Sequence, residues 1–198
     1  MNQMKSWQYE GYLTEDKLYK FLSNFFGITR QYKIGKKSVD FYFEHNEVKY
    51  IVEFNGYHHY SSIKHQTRDE LIQTYCNENN IHLVMIPYFI QLEDRVFDIL
   101  FGCELADYIS SKIGFDWVAS VDHYKHGFID NKAMLPWDFN IYGYKRFTDE
   151  YKLFTKHDRM AVMREIFDSL VIRSKDMNIK MECSSDLLPD KLMSHYPT

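Results

Sequence analysis

Apolar positions first recur at helical spacing between Thr14 and Phe26, where Leu18, Phe21, Leu22 and Phe25 share one face. Thr14 has the chemistry of an N-cap, Glu15 and Asp16 put negative charge where the helix dipole favours it, and Gly27 ends the run. Glu15 lies three and seven residues before Leu18 and Leu22, at the edge of the packed face. Its carboxylate is therefore either a solvated first-turn residue or a member of an internal site. The period then drops to two. Ile28 to Ile34 predicts a strand closed by Gly35-Lys36-Lys37. Ser38 to Phe43 predicts a second, with Val39, Phe41 and Phe43 on one side and Asp40 and Tyr42 on the other. Glu44 to Glu47 reads as a hairpin loop, and Val48 to Phe54 as a third strand ended by Asn55-Gly56.

Tyr57 to Gln66 is polar and reads as a loop. Thr67 to Asn79 predicts a helix with Leu71, Ile72 and Tyr75 inward, and His82 to Ile86 a fourth strand closed by Pro87. Leu92 to Ile113 predicts one long helix stopped by Gly114. Phe115 to Gly143 reads as loops with short helical pieces. Thr148 to Ser174 predicts a helix capped by Thr148, with Lys152, Lys156 and Arg159 on one side, and Lys175 to Thr198 reads as partly ordered. Helix, three-stranded meander, helix, strand and helix in that order predict an α/β fold with a mixed sheet. Residues 1–114 form the expected core and residues 115–198 an aromatic, mainly helical C-terminal extension.

Composition narrows the classes. A chain of 198 residues with 45% hydrophobic residues has enough apolar surface to bury a core. Its 16 Tyr and 15 Phe, with frequent Lys, Asn and Ile, suggest A/T-rich coding of a phage or low-GC bacterial kind. A net charge of −4 argues against coating DNA through bulk charge, but leaves local phosphate-binding patches open. Cys76, Cys103 and Cys183 are far apart and odd in number, so neither a disulfide framework nor a zinc knuckle is supported. The N-terminal residues lack the apolar stretch of a signal peptide, and no apolar run approaches a bilayer's thickness. The expectation is a cytoplasmic protein with no membrane partner.

The chemistry concentrates between Ser38 and Pro87. Asp40 and Glu53 stand on successive strands of the predicted meander. Two carboxylates on adjacent antiparallel strands, aimed at one face, can share a divalent cation, and oxygen ligands suit Mg²⁺ or Mn²⁺. Such an ion polarises a phosphoryl oxygen and supplies a hydroxide-like nucleophile, the minimum apparatus for phosphodiester hydrolysis.

Val39-Asp40-Phe41, followed by Ile51-Val52-Glu53-Phe54-Asn55-Gly56-Tyr57-His58-His59-Tyr60, resembles the PD-(D/E)XK nuclease superfamily. Within it the segment is most similar to the branch of very short patch repair endonucleases and phage homing enzymes. That branch reads V-D-F, then I-E-x-D-G-x-x-H-[YF], then a helix bearing R-D and a strand ending I-P-Y. Here the helix carries Arg68-Asp69 and the strand ends Ile86-Pro87-Tyr88. The resemblance covers Thr14 to Tyr88 and implies a restriction-endonuclease-like αβββαβ core. It makes Asp40 and Glu53 metal ligands, with the Phe54 backbone carbonyl a third and Glu15 the helical acid that completes the site. His59 becomes the proton-transfer group, and Arg68 and Asp69 bind phosphate or brace the site. The position usually held by Lys, or in this branch by Asp, is Asn55. An amide can ligate or hold a water but cannot act as a base.

Two basic groups accompany the block: Arg30, Lys33, Lys36 and Lys37, and then Lys145, Arg146, Lys152, Lys156 and Arg159. Together with Arg68, they are candidates for holding nucleic-acid phosphates, with nearby tyrosines for stacking. The other reading of each group is a solvated face. His58, His59, His65 and Cys76 fit no standard zinc spacing, and a histidine-activating ββα-metal nuclease lacks its helical His between Thr67 and Asn79. The sequence therefore predicts a Mg²⁺- or Mn²⁺-dependent endonuclease acting on nucleic acid, DNA ahead of RNA, with catalysis assigned to Asp40, Glu53, Asn55, His59 and Glu15. The C-terminal extension then supplies substrate contacts or a homodimer surface. The alternatives are a nucleic-acid-binding protein whose catalysis Asn55 has weakened, and a regulatory protein that binds a partner through its aromatic half.

Overall fold

The computed structural model describes residues 4–122, 125, 127–129 and 135–176. Most of the sequence expectation for Lys175 to Thr198, the histidines at 123 and 126, and Cys183 lie outside them. Helix α1 (Glu15–Leu22) starts where the Thr14 hydroxyl accepts a hydrogen bond from the Lys17 amide, and it buries Leu18, Phe21 and Leu22. Strands β1 (Thr29–Ile34), β2 (Lys37–His45) and β3 (Val48–Asn55) form an antiparallel meander. Strand β4 (Ile81–Pro87) adds parallel to β3, giving a four-stranded mixed sheet in the order β1-β2-β3-β4. A parallel addition requires a crossover. Helices α2 (His58–Ser61) and α3 (Ile63–Glu78) supply it.

The fold is α/β, with a helical C-terminal region. One face of the sheet packs Phe41, Phe43, Tyr50, Val52, Val84 and Ile86 into a cluster with α1 and with α4 (Asp94–Phe101) and α5 (Cys103–Ile113). The other face packs Val39 and Ile51 with Ile72 and Cys76 of α3. The larger cluster also takes Phe128 and Leu135, Phe147 from α6 (Ile141–Leu153), Val162 and Ile166 from α7 (Lys156–Asp176), and Phe154 from the link between these two helices. Among the described residues no helix is long and apolar enough to cross a membrane.

Four expectations change. Tyr57 to Gln66 is not a loop: its polar side chains hide a helical turn, α2, and the first turn of α3, which starts at Ile63. The long helix from Leu92 is two helices, because Gly102 sits at φ 89°, a conformation that interrupts the helical path and suits a residue without Cβ. The helix from Thr148 is likewise two. Thr148 is a buried interior residue of α6, and the new start is Thr155. There the Thr155 hydroxyl accepts from the Asp158 amide while the Asp158 carboxylate accepts from the Thr155 amide, a capping box. Lys152 and Lys156 thus lie on different helices rather than on one face with Arg159. Lastly, Val39 does not share a side with Phe41 and Phe43, since it packs in the α3 cluster and they do not.

Candidate active site

The cause of the Val39 reversal is at Asp40. The β1–β2 register pairs Arg30 with Phe41 and Tyr32 with Val39, leaving Gln31 and Asp40 unpaired, and Gln31 has φ 50°. On the other side the β2–β3 register runs from His45↔Val48 to Phe41↔Val52 and stops. Had it continued, Asp40 would face Glu53. The strands part instead, and the Asp40 carboxylate accepts a hydrogen bond from the Phe54 amide at 2.8 Å, standing in for the missing ladder bond. Burial pushes the Asp40 carboxyl above its ordinary range, against the Phe54 hydrogen bond, and the negative charge of Glu15 adds to the rise.

Glu53 lies on the α3 side of β3, 1% exposed. Burial, with help from Asp40, pushes its carboxyl up to about 7 despite a bidentate partner. That partner is Arg68 on α3, whose Nη1 and Nη2 donate to the two Glu53 oxygens at 2.9 and 3.1 Å. Arg68 Nη2 also donates to the Ser38 carbonyl at 2.7 Å, tying α3 to both strands. A sheltered carboxyl whose affinity for protons is raised by burial and by a neighbouring carboxylate is a recognised mark of functional sites.

Next to Arg68, Asp69 is buried and its Oδ2 sits 2.7 Å from His59 Nδ1 and 2.6 Å from Arg146 Nη1. Burial alone would raise the Asp69 carboxyl; the hydrogen bonds and charges of His59 and Arg146 outweigh it and hold it below its ordinary value. An anionic carboxylate only accepts, so His59 Nδ1 carries the hydrogen and Nε2 is left as the nitrogen that can exchange a proton. Helix α2 is the element that turns His59 and Tyr60 inward. Arg146 comes from α6, donates through Nε to Glu150 at 2.8 Å and lies over the Tyr60 ring, whose hydroxyl donates to the other Glu150 oxygen. A continuous chain of charge therefore runs from Glu53 through Arg68, Asp69 and Arg146 to Glu150. Sequence reasoning grouped Arg146 with cations that were either a solvated face or phosphate contacts, and gave Glu150 and Tyr60 no part in the site. The four-residue spacing of Arg146 and Glu150, the pairing distance on a helix, was the available signal.

Asn55 is fully buried on the face of Glu53, and neither its Nδ2 nor its Oδ1 has a hydrogen-bond partner. The Phe54 carbonyl accepts from the Gly56 amide at 3.1 Å. Glu15 stays within electrostatic range of Asp40 but its carboxylate is paired with Arg30 at 3.1 Å at the rim. Arg30 also binds Asp16 and lies over the Tyr19 ring, so it is committed internally. Lys33 and Lys36 are exposed on β1 and its turn, whereas Lys37 is half-buried near Arg68. Lys152 and Lys156 are exposed, and Arg159 is half-buried over the Tyr151 ring.

Among the described residues, no three His, Cys, Asp or Glu side chains cluster as a ready-made metal cage. A magnesium ion does not ask for one, since it keeps several waters and binds through one or two carboxylates. Asp40, Glu53 and the orphaned Asn55 amide offer oxygen ligands of that kind, so the donor set fits. Set against protein-family models, curated proteins and solved structures, the chain matches none.

Proposed function

We propose that the chain is a Mg²⁺- or Mn²⁺-dependent endonuclease that hydrolyses phosphodiester bonds, in DNA ahead of RNA, on a restriction-endonuclease-like core. The observation that carries this reading is the opening of the β2–β3 ladder at Asp40 and Glu53, with Glu53 buried, Asp40 half-buried and both carboxyls raised. Asp40, Glu53 and the Phe54 carbonyl would hold the cation, with Glu15 at the rim. Such an ion, when bound, polarises a phosphoryl oxygen and acidifies a water. His59, oriented by Asp69, presents Nε2 to take or return a proton. Asn55 can hold a water through its amide but cannot accept its proton, so proton transfer among the protein's own groups falls to His59.

A second reading, binding of nucleic acid with weakened catalysis, is favoured by one observation: Glu53 has both oxygens engaged by Arg68 while its neighbour Asn55 brings no charge. Incubation with supercoiled plasmid and Mg²⁺ or Mn²⁺ separates the two. Nicking by the wild type that disappears in Asp40→Ala and Glu53→Ala is expected. Nicking that persists in both variants would falsify the assignment. Plasmid binding without nicking, with activity appearing in Asn55→Asp or Asn55→Lys, would establish the second reading instead.

A further inference from the structure

A cavity of about 280 Å³ opens beside the acidic pair, lined by Gln31, Lys37, Ser38, Lys64, His65 and Arg68. No carboxylate lines it. Lys37 and Lys64 take part in no ion pair among the described residues, whereas other cations nearby are committed: Arg30 to Glu15 and Asp16, Lys145 to Asp149, Arg146 to Asp69 and Glu150. Two lysines left unmatched in one concavity, one of them half-buried, make a local excess of positive charge on a chain whose net charge is −4. A concave wall of one sign concentrates field and attracts an anion. Arg68 forms the partition between this cavity and Glu53. Three of its N–H groups serve Glu53 and the Ser38 carbonyl, and Nη1 also pairs with Asp69 Oδ1 at 3.6 Å, so the Nε–H is the donor left for a ligand.

We infer that this cavity seats a backbone phosphate of nucleic acid, next to the phosphate that would face Asp40 and Glu53. A phosphodiester supplies the chemistry that the lining requests: a compact anion with several acceptor oxygens, matched to two ammonium groups and a guanidinium. The inference rests on the nuclease reading for its choice of polymer over free phosphate, because the guanidinium that faces the cavity also grips Glu53. It assigns roles to Lys64 and His65, and it separates Lys37 from Lys33 and Lys36, which line no part of it.

The test is binding of the full chain to a fluorescein-labelled DNA duplex, read by anisotropy in EDTA across a series of salt concentrations. Each lost phosphate contact lowers the slope of log K against log salt by about 0.9. Lys37→Gln and Lys64→Gln should each show that drop, while Lys112→Gln, whose lysine lies over the Tyr108 ring, should keep the wild-type slope. Slopes unchanged in Lys37→Gln and Lys64→Gln overturn the seat, and so does a wild type that binds no duplex at low salt. Binding of inorganic phosphate in calorimetry, lost in Lys37→Gln and Lys64→Gln, without any duplex binding assigns the cavity to free phosphate and overturns the polymer. The assay needs neither metal nor turnover. Altered slopes with no nicking would therefore remove the hydrolase and keep the seat, and nicking with unaltered slopes would do the reverse.

Discussion

Arg68 on α3 holds both carboxylate oxygens of Glu53 on β3, at 2.9 and 3.1 Å, and no other hydrogen bond reaches that carboxylate in the described structure. Removing one member of a buried pair leaves the other charge unmatched, at a cost of about 3–5 kcal/mol. Arg68→Met should therefore lose stability of that order in urea denaturation at pH 8. Around pH 5 the loss should shrink, because Glu53 can then take up a proton. Adding Glu53→Gln to Arg68→Met should restore most of the loss at pH 8. An equal loss at both pH values would mean that Arg68 acts by packing alone.

Stability in EDTA should carry the signature of Glu53. Its carboxyl rises from an ordinary 4.5 to about 7 on folding, so the folded chain binds the extra proton. The stabilisation is complete below about 4.5 and is lost as pH climbs through 7. Glu53→Gln keeps a neutral group throughout, so its stability relative to wild type should climb by roughly 3 kcal/mol between those limits and then level off. Asp69, held low, works in the opposite direction but only below its ordinary 3.8, outside this window. Thermal melts of both proteins from pH 4.5 to 8 check the trend, and a difference that falls with pH contradicts it.

Asn55 keeps a buried amide without partners, which costs about 1–3 kcal/mol relative to a satisfied or apolar group. Asn55→Leu should thus melt at or above the wild-type temperature while losing any nicking or Mn²⁺ binding. This combination is expected where a fold gives up stability for function. A variant that loses both would point to a structural amide.

Much of this was written in the local pattern. Thr14, the Leu18–Phe21–Leu22 face and the alternating strands carry their structure within a few residues, and the two acids stood out by their place in the meander. What could not be read locally depended on contacts distant in sequence. The turn of α2 is made of polar residues whose burial comes from Glu150 and Phe139, roughly 80–90 positions away. The break at Thr155 was marked by Thr-x-x-Asp, but Thr148-Asp149-Glu150 offers a similar cap, and only packing decides between them. The flip at Asp40 has no periodic signal: it coincides with a skipped pair, Gln31 and Asp40, in an otherwise unshifted β1–β2 register, and with φ 50° at Gln31.

Helix α6 should tolerate no side chain at Gly143, where a Cβ would come within 1.6 Å of the Tyr60 carbonyl oxygen. Gly143→Ala must shift backbone rather than rotate a side chain, and overpacking of this kind costs about 1–3 kcal/mol. It should also free His59 from its fixed tautomer, which imidazole ¹⁵N shifts would report, even though residue 143 lies nowhere near that ring in sequence. Arg146→Met should reproduce the spectral change without the backbone shift. An unaltered ¹⁵N pattern in both would uncouple α6 from His59.

That bare contact between two main chains makes the last helices a retaining wall. A protein shortened to residues 1–114 would leave Asp69 without the guanidinium that balances it and open Tyr60 to water. Silence from such a fragment in a cleavage assay would speak of a collapsed neighbourhood around His59, and not of the chemistry at Asp40 and Glu53.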